Sequence, residues 1–348
     1  MKKLIAVLLA GVCALSLMAC AGTAAPAASG SAAPAAAEEA AAPAEEAAPA
    51  AGLKVALCLS GAANDQGWNQ TAYEGALKAC EKYGMEMTYS ENLTPAEIAE
   101  AFADYAAAGY DVIIGHGYEF GDPALEVAGT YPDVLFICTE ADAAADNVAS
   151  YVMACEETGY VEGVIAAMIT GSGKVGAIGP LQGDSLVKIV NGFEDGAKSV
   201  NPDIVVETAW TNSFVDTQLA QEAAEAMITD GVDVIKHCAN ACGNGAISAA
   251  VAANIYCMGD SYDQSSFAPD NMVDSALYNL DVVLDIALGT VADGTFKGEV
   301  YNLGFAENAV GMSYTKNIPD DVKAAADELI EKIKSGEFDV IKDVTIRN

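Results

Sequence analysis

Residues 54–70 read Lys54-Val55-Ala56-Leu57-Cys58-Leu59-Ser60-Gly61-Ala62-Ala63-Asn64-Asp65-Gln66-Gly67-Trp68-Asn69-Gln70. The first six residues are almost unbroken apolar chain, as a strand buried on both faces requires. A polar, glycine-containing loop follows. A helical run then extends from Asn69 to Tyr83, with apolar positions at Ala72, Ala76, Leu77 and Cys80. Buried strand, polar loop and amphipathic helix together open a βαβ unit.

Outward from this stretch the pattern repeats. Strands are predicted at Met85–Tyr89, Asp111–Gly115, Val134–Cys138 and Val148–Met153. Thr94-Pro95-Ala96-Glu97 carries the N-cap, N1 and N3 signals of a helix start. A second set has strands at Lys174–Ile178, Ile204–Ala209, Val232–His237 and Ile255–Met258. Its helices are Glu157–Thr170, Asp184–Val200, Gln218–Thr229 and Ala246–Ala253. A last helix, Asp320–Lys334, has Asp321 near its start and Lys332 and Lys334 near its end, as the helix dipole favours. Such alternation predicts parallel sheets with helices on both faces. The fold class is therefore α/β: two doubly wound parallel-sheet lobes with a hinge.

Charge removes several function classes. Lys and Arg number 16 against 50 Asp and Glu, a formal net charge of −34. Such a surface repels nucleic-acid phosphate and a bare anionic membrane, and favours a soluble monomer. The one arginine is Arg347. Of nine cysteines, Cys13 lies in the leader and Cys20 has its own explanation, which leaves an odd, irregularly spaced set. That is not a disulfide framework. Cys238 and Cys242 form a lone C-x3-C pair in a chain with two histidines, so no zinc site, other metal or cofactor is expected.

The first 52 residues read as address and tether. Met1-Lys2-Lys3 and the apolar run Leu4–Leu17 make a signal peptide over 1–19, too short to span a bilayer. Leu17-Met18-Ala19-Cys20 resembles the bacterial lipobox, which implies lipidation of Cys20. Residues 20–52 are then a lipidated Cys and a disordered Ala/Pro/Glu tether reaching roughly 30 Å. The expected location is extracytoplasmic, on the bacterial cell membrane.

Ligands of open parallel sheets bind beyond the carboxyl ends of the strands. The residues just past those ends are the candidate binding set: Asp65, Trp68, Asn69, His116, Tyr118, Glu119, Phe214, Asn240, Gly243, Asp260 and Tyr262. Trp68 and Phe214 could stack on the two faces of a planar ring. Trp68 could instead pack between helix and sheet, Asp65 could be only a helix cap, and His116 could orient Glu119 or satisfy backbone. Asp65, Glu119 and Asp260 are acceptors for hydroxyl or N–H donors. Lys188 and Lys236 are the nearest cations, and no arginine fork is present for phosphate. The ligand should be neutral or cationic, a nucleoside or sugar before a nucleotide. No catalytic residue is assigned, because no G-x-S-x-G elbow and no legible triad occur. Gly171-Ser172-Gly173-Lys174 follows a helix and lacks the upstream glycine of a phosphate loop.

These segments in order resemble the basic membrane protein family, purine-nucleoside-binding lipoproteins of ABC importers. The resemblance rests on Asn64–Gln70 with Glu74-Gly75, Gly109–Gly117, Tyr131-Pro132-Asp133 and Glu157–Gly163. It continues in Lys174-Val175-Gly176, Asn201-Pro202-Asp203, Trp210–Asp216 and Gly259–Gln264. It implies a type I periplasmic binding fold. The N-terminal lobe would be 53–155 plus about 278–305, and the C-terminal lobe 156–277 plus about 306–348. It further implies that Trp68 and Phe214 sandwich a base, that Asp260 holds the ribose, and that an ABC permease is the partner. Leu59 and Tyr278 stand where family members often carry Asp and Lys. A sugar-binding or signalling receptor of the same fold is the alternative, and a secreted hydrolase is less favoured.

Overall fold

The computed structural model describes residues 51–347 apart from Gln66. The signal peptide, Cys20 and the tether as far as residue 50 lie outside the described residues.

The first run of elements is β1 (Lys54–Leu59), α1 (Trp68–Tyr83), β2 (Glu86–Ser90), α2 (Ile98–Ala107), β3 (Val112–His116), α3 (Gly121–Ala128), β4 (Leu135–Thr139) and β5 (Val148–Met153). The second run is α4 (Cys155–Ile169), β6 (Lys174–Gly179), α5 (Asp184–Val200), β7 (Val205–Trp210), α6 (Thr217–Thr229), β8 (Val234–His237), α7 (Asn244–Ala253), β9 (Tyr256–Gly259) and β10 (Met272–Tyr278). The chain closes with α8 (Leu280–Ala292), β11 (Val300–Leu303), β12 (Val310–Tyr314) and α9 (Asp320–Lys334).

The strands form two six-stranded sheets, ordered β2-β1-β3-β4-β5-β11 and β7-β6-β8-β9-β10-β12. Each order reverses beside its first strand, between β1 and β3 and between β6 and β8, which is where a doubly wound sheet opens a crevice. Residues Val55–Leu59 of β1 and all of β3 and β5 are buried, as their unbroken apolar sequences require. The chain passes between the sheets three times: after Met153, after Tyr278, and between Leu303 and Val310.

Two local expectations are corrected. The helix read from Thr94 begins at Ile98. Glu97 takes both the N–H and the hydroxyl of Thr94 at 2.9 and 2.6 Å, so the threonine oxygen donates to Glu97 instead of capping the helix. The second sheet is also not wholly parallel, because β12 runs antiparallel to β10.

Glycines set one helix pair that matters for the site. A Cβ at Gly163 of α4 would lie 2.0 Å from Phe193 O, and one at Gly196 of α5 would lie 2.0 Å from Tyr160 O. Only residues without a side chain let α4 and α5 touch backbone to backbone. This contact fixes α5 against α4.

Candidate functional site

The carboxyl ends of both sheets border one cavity of about 720 Å³, a volume suited to a small organic ligand. Loops from the two sheets approach closely at its edge. A Cβ at Gly67, after β1, would lie 3.6 Å from Asn240 Oδ1, after β8.

On the first wall, Trp68 begins α1, lines the cavity and stacks on His116, with ring centroids 4.3 Å apart and planes 28° from parallel. His116 is the last residue of β3 and is fully buried. Its Nε2 lies 3.2 Å from Trp68 O, which can only accept, so Nε2 carries the proton. Its Nδ1 then accepts from Thr139 Oγ1 at 2.8 Å, while that oxygen accepts from Gly117 N. Burial pushes the imidazole down to about 3, against smaller opposing effects of Trp68 O and Asp65. The ring is neutral.

Asp65 is a helix cap as well as a cavity-lining group. Its carboxylate accepts from the backbone N–H groups of Gly67, Asn69 and Gln70 and from Asn69 Nδ2, all within 3.1 Å. Burial alone would raise its pKa, but these bonds together hold it below the usual carboxylate value. Asn69 is equally committed to the loop, because its Oδ1 accepts from Gly61 N at 3.2 Å.

On the second wall, Asp260 follows β9 and is 4% exposed. Tyr278 donates to its Oδ1 and Ser261 to its Oδ2, each at 2.7 Å. The Asp260 N–H donates to Gln264 Oε1 at 2.9 Å, and His237 Nε2 contacts that same oxygen at 3.0 Å. An oxygen already accepting from a backbone N–H requires His237 to be protonated on Nε2. Gly243 touches this network from behind, since a Cβ there would fall 1.9 Å from His237 Nδ1.

The floor carries buried charge. Lys188 of α5 donates to Met153 O at 2.5 Å and sits 3.3 Å from Glu156 and 4.0 Å from the cavity-lining Glu140. Lys236 pairs with Glu162 deeper in the second sheet. Neither lysine lines the cavity. Among the described residues its lining has seven carboxylates (Asp65, Glu74, Glu119, Glu140, Asp260, Asp263 and Asp281) and no Lys, Arg or His.

A family model described as ABC transporter substrate-binding protein PnrA-like, Bmp, matches residues 53–343. The chain belongs to the Bmp family. Among relatives, the Purine-binding protein of Brucella abortus is 34% identical over 289 residues, covering 82% of each chain. Basic membrane protein A of Borreliella burgdorferi is 29% identical, over 82% of this chain and 86% of the relative. A solved ABC transporter solute-binding protein from Conexibacter woesei is 28% identical, with a TM-score of 0.68, over 83% of this chain and 99% of that one. This Bmp chain is thus a substrate-binding protein of ABC transport, a role carried out outside the cytoplasm, and its family is one of binders. Among its described residues no helix is long and apolar enough to cross a membrane.

In this Bmp protein Asp65, Trp68, Asn69, Tyr118, Glu119, Phe214, Asn240, Asp260 and Tyr262 all border the single cavity described. His116 and Gly243 do not. His116 points into the protein behind Trp68 rather than toward Glu119, and Gly243 backs His237. The candidate set left out Glu140, which follows the fourth predicted strand, and also Tyr278 and the α5 residues Leu186 and Ile189, all of which line the cavity. The sequence marks Tyr278 as a departure from the family and as the point where the chain returns to the first lobe, but not as a cavity residue. Its position directly before a chain crossing was the available signal.

Proposed function

We propose that this protein captures a nucleoside between its two sheets and delivers it to a membrane permease. The observation that carries the reading is the cavity lining: an indole from one sheet, a phenyl from the other, seven carboxylates and no cation. His116 covers one face of the Trp68 ring; in this reading a base stacks on the other, and Phe214, which lines the same cavity, closes over it. Asp260 keeps an unused lone pair on each oxygen for hydroxyl donors of the sugar. The acidic lining disfavours a 5′-phosphate. A relative of 34% identity carries a purine-binding name, which agrees with this reading.

Each sheet with its helices acts as a lobe, and the three crossings act as the hinge over which the lobes close. Cys20 carries the lipid anchor and residues 21–52 the tether, and the protein works as a monomer. Substituting Cys20→Ser should abolish palmitate labelling.

Isothermal titration of the full chain with adenosine, guanosine, adenosine 5′-monophosphate, ribose and glucose tests the reading. Adenosine or guanosine should bind at least 100-fold more tightly than the monophosphate. Binding of ribose or glucose with no nucleoside binding would replace the nucleoside by a sugar.

A further inference from the structure

The chain contains two histidines, and both end a strand in the same place in their sheets. His116 closes β3, the strand beside β1 on the side away from β2. His237 closes β8, the strand beside β6 on the side away from β7. Both are buried, at 0% and 1% exposure. Both hold the proton on Nε2 by the donor–acceptor reasoning above, and neither lines the cavity.

Each imidazole acts on a different cavity-lining group. His116 presses its ring against the Trp68 indole and donates to the Trp68 carbonyl, so it fixes both the ring and the backbone of the residue that opens α1. His237 donates to Gln264 Oε1, which accepts the Asp260 N–H, and Gln264 N donates to Ser275 Oγ on the neighbouring strand. This bridge sets the height of the Asp260 backbone, while Tyr278 and Ser261 set its carboxylate.

We propose that His116 and His237 are a matched pair of positioning residues, one behind each wall, that hold Trp68 and Asp260 in their ligand-binding orientation. Trp68 and Asp260 as ligand contacts come from the functional reading above, and the pair rests on it to that extent. Burial keeps each ring neutral. Burial is the largest influence on both, opposed at His116 by the Trp68 carbonyl and by Asp65. At His237 it is opposed by Asp260 and the Gln264 bond, and assisted by Lys236.

Two measurements test this. Selective 15N labelling of histidine in the untagged full chain yields ring signals from these two residues alone. Both should report a neutral Nε2–H tautomer at pH 8, His116 unchanged down to pH 5 and His237 taking a proton only below the ordinary imidazole value. A ring that titrates near its ordinary value, or an Nδ1–H tautomer, overturns the pair. Second, adenosine binding is measured for His237→Leu, His237→Gln, Asp260→Ala and the double variant. His237→Leu should weaken binding about tenfold, and His237→Gln, which keeps a donor near the Nε2 position, should restore most of it. In the Asp260→Ala background His237→Leu should have almost no further effect. Equal losses from His237→Leu in both backgrounds would mean a general structural role and overturn the proposal. If adenosine does not bind the wild type, the nucleoside reading falls. Crystal structures of His237→Leu then decide this proposal: an Asp260 loop displaced from its wild-type position supports it, and an unmoved loop overturns it.

Discussion

The two sheets share a strand order and a strand-ending histidine, yet they build different walls. Behind the first wall the face of the sheet that meets α2 and α3 is apolar, with Phe102, Phe120 and Phe136 packed together, and among the described residues buried charge is confined to Lys188 and its partners at the carboxyl edge. Its cavity face is an indole backed by an imidazole. Behind the second wall lie fully buried ionisable groups, Glu162 paired with Lys236 and the nearby Asp274, whose oxygens have no protein hydrogen-bond partner and whose carboxyl pKa is raised by burial well above the usual range. Its cavity face is a hydrogen-bonded carboxylate. One topology can thus serve a wall that grips by contact area and a wall that grips by polar direction. The second depends on internal electrostatics far more than the first.

That contrast can be broken in stages. The largest effect should come from Glu162→Gln, which removes the directly bonded carboxylate of the buried Lys236 and leaves it only the more distant Asp260 and Asp274. Removing one partner of such a pair costs about 3–5 kcal/mol, read as a fall in the urea midpoint. A loss below 1 kcal/mol would mean that the second lobe does not depend on this pair.

Next comes acid. His116 has a folded pKa near 3, below its unfolded value, so the unfolded chain binds the extra proton first. Stability linked to this residue is complete above the unfolded value, about 6.5. It falls by about 1.4 kcal/mol per pH unit as the pH drops from there toward 3. The difference between wild type and His116→Gln, measured by urea unfolding at pH 7 and pH 4.5, should follow that slope. A pH-independent difference would mean the imidazole is not held neutral.

Trp68→Ala should then weaken nucleoside binding by the stacking contribution, about 1–3 kcal/mol or roughly 5- to 150-fold, and Phe214→Ala by no more than that. Unchanged affinity in calorimetry would place the indole in the core alone. Smallest of all, Lys78→Ala removes an exposed pair with Asp281 at 2.9 Å and should leave the urea midpoint unchanged within error. A measurable loss there would show that the first wall also relies on charge.

The strands were legible because two-sided burial leaves continuous apolar runs, as in Val148–Met153. Helix α8, Leu280-Asp281-Val282-Val283-Leu284-Asp285-Ile286-Ala287-Leu288-Gly289-Thr290-Val291-Ala292, was not read as a separate element, because its apolar residues spread around the helix where it packs on α1. Strands β11 and β12 are four and five residues long and half exposed, too short for periodicity to define. In the site, residues following a buried strand could be found by position alone. Asp65, Trp68, Phe214 and Asp260 were found that way. For His116 the sequence leaves two readings, orienting Glu119 or satisfying backbone, and the contact with Trp68 O matches the second; sequence shows that it ends a strand but not that its side chain turns inward onto Trp68. Leu186 and Ile189 reach the cavity only through the packing of α5 on α4, a contact that no local pattern encodes, and Tyr278 reaches it where the chain returns from β10.

The central claim is that a flat ring sits against the face of Trp68 turned away from His116. The chain has two tryptophans, Trp68 and Trp210, so Trp210→Phe leaves Trp68 as the only indole. Titrating that full-length variant with adenosine while following indole fluorescence should give saturable quenching, with the midpoint found by calorimetry. Tight binding with no change in Trp68 emission would contradict the account.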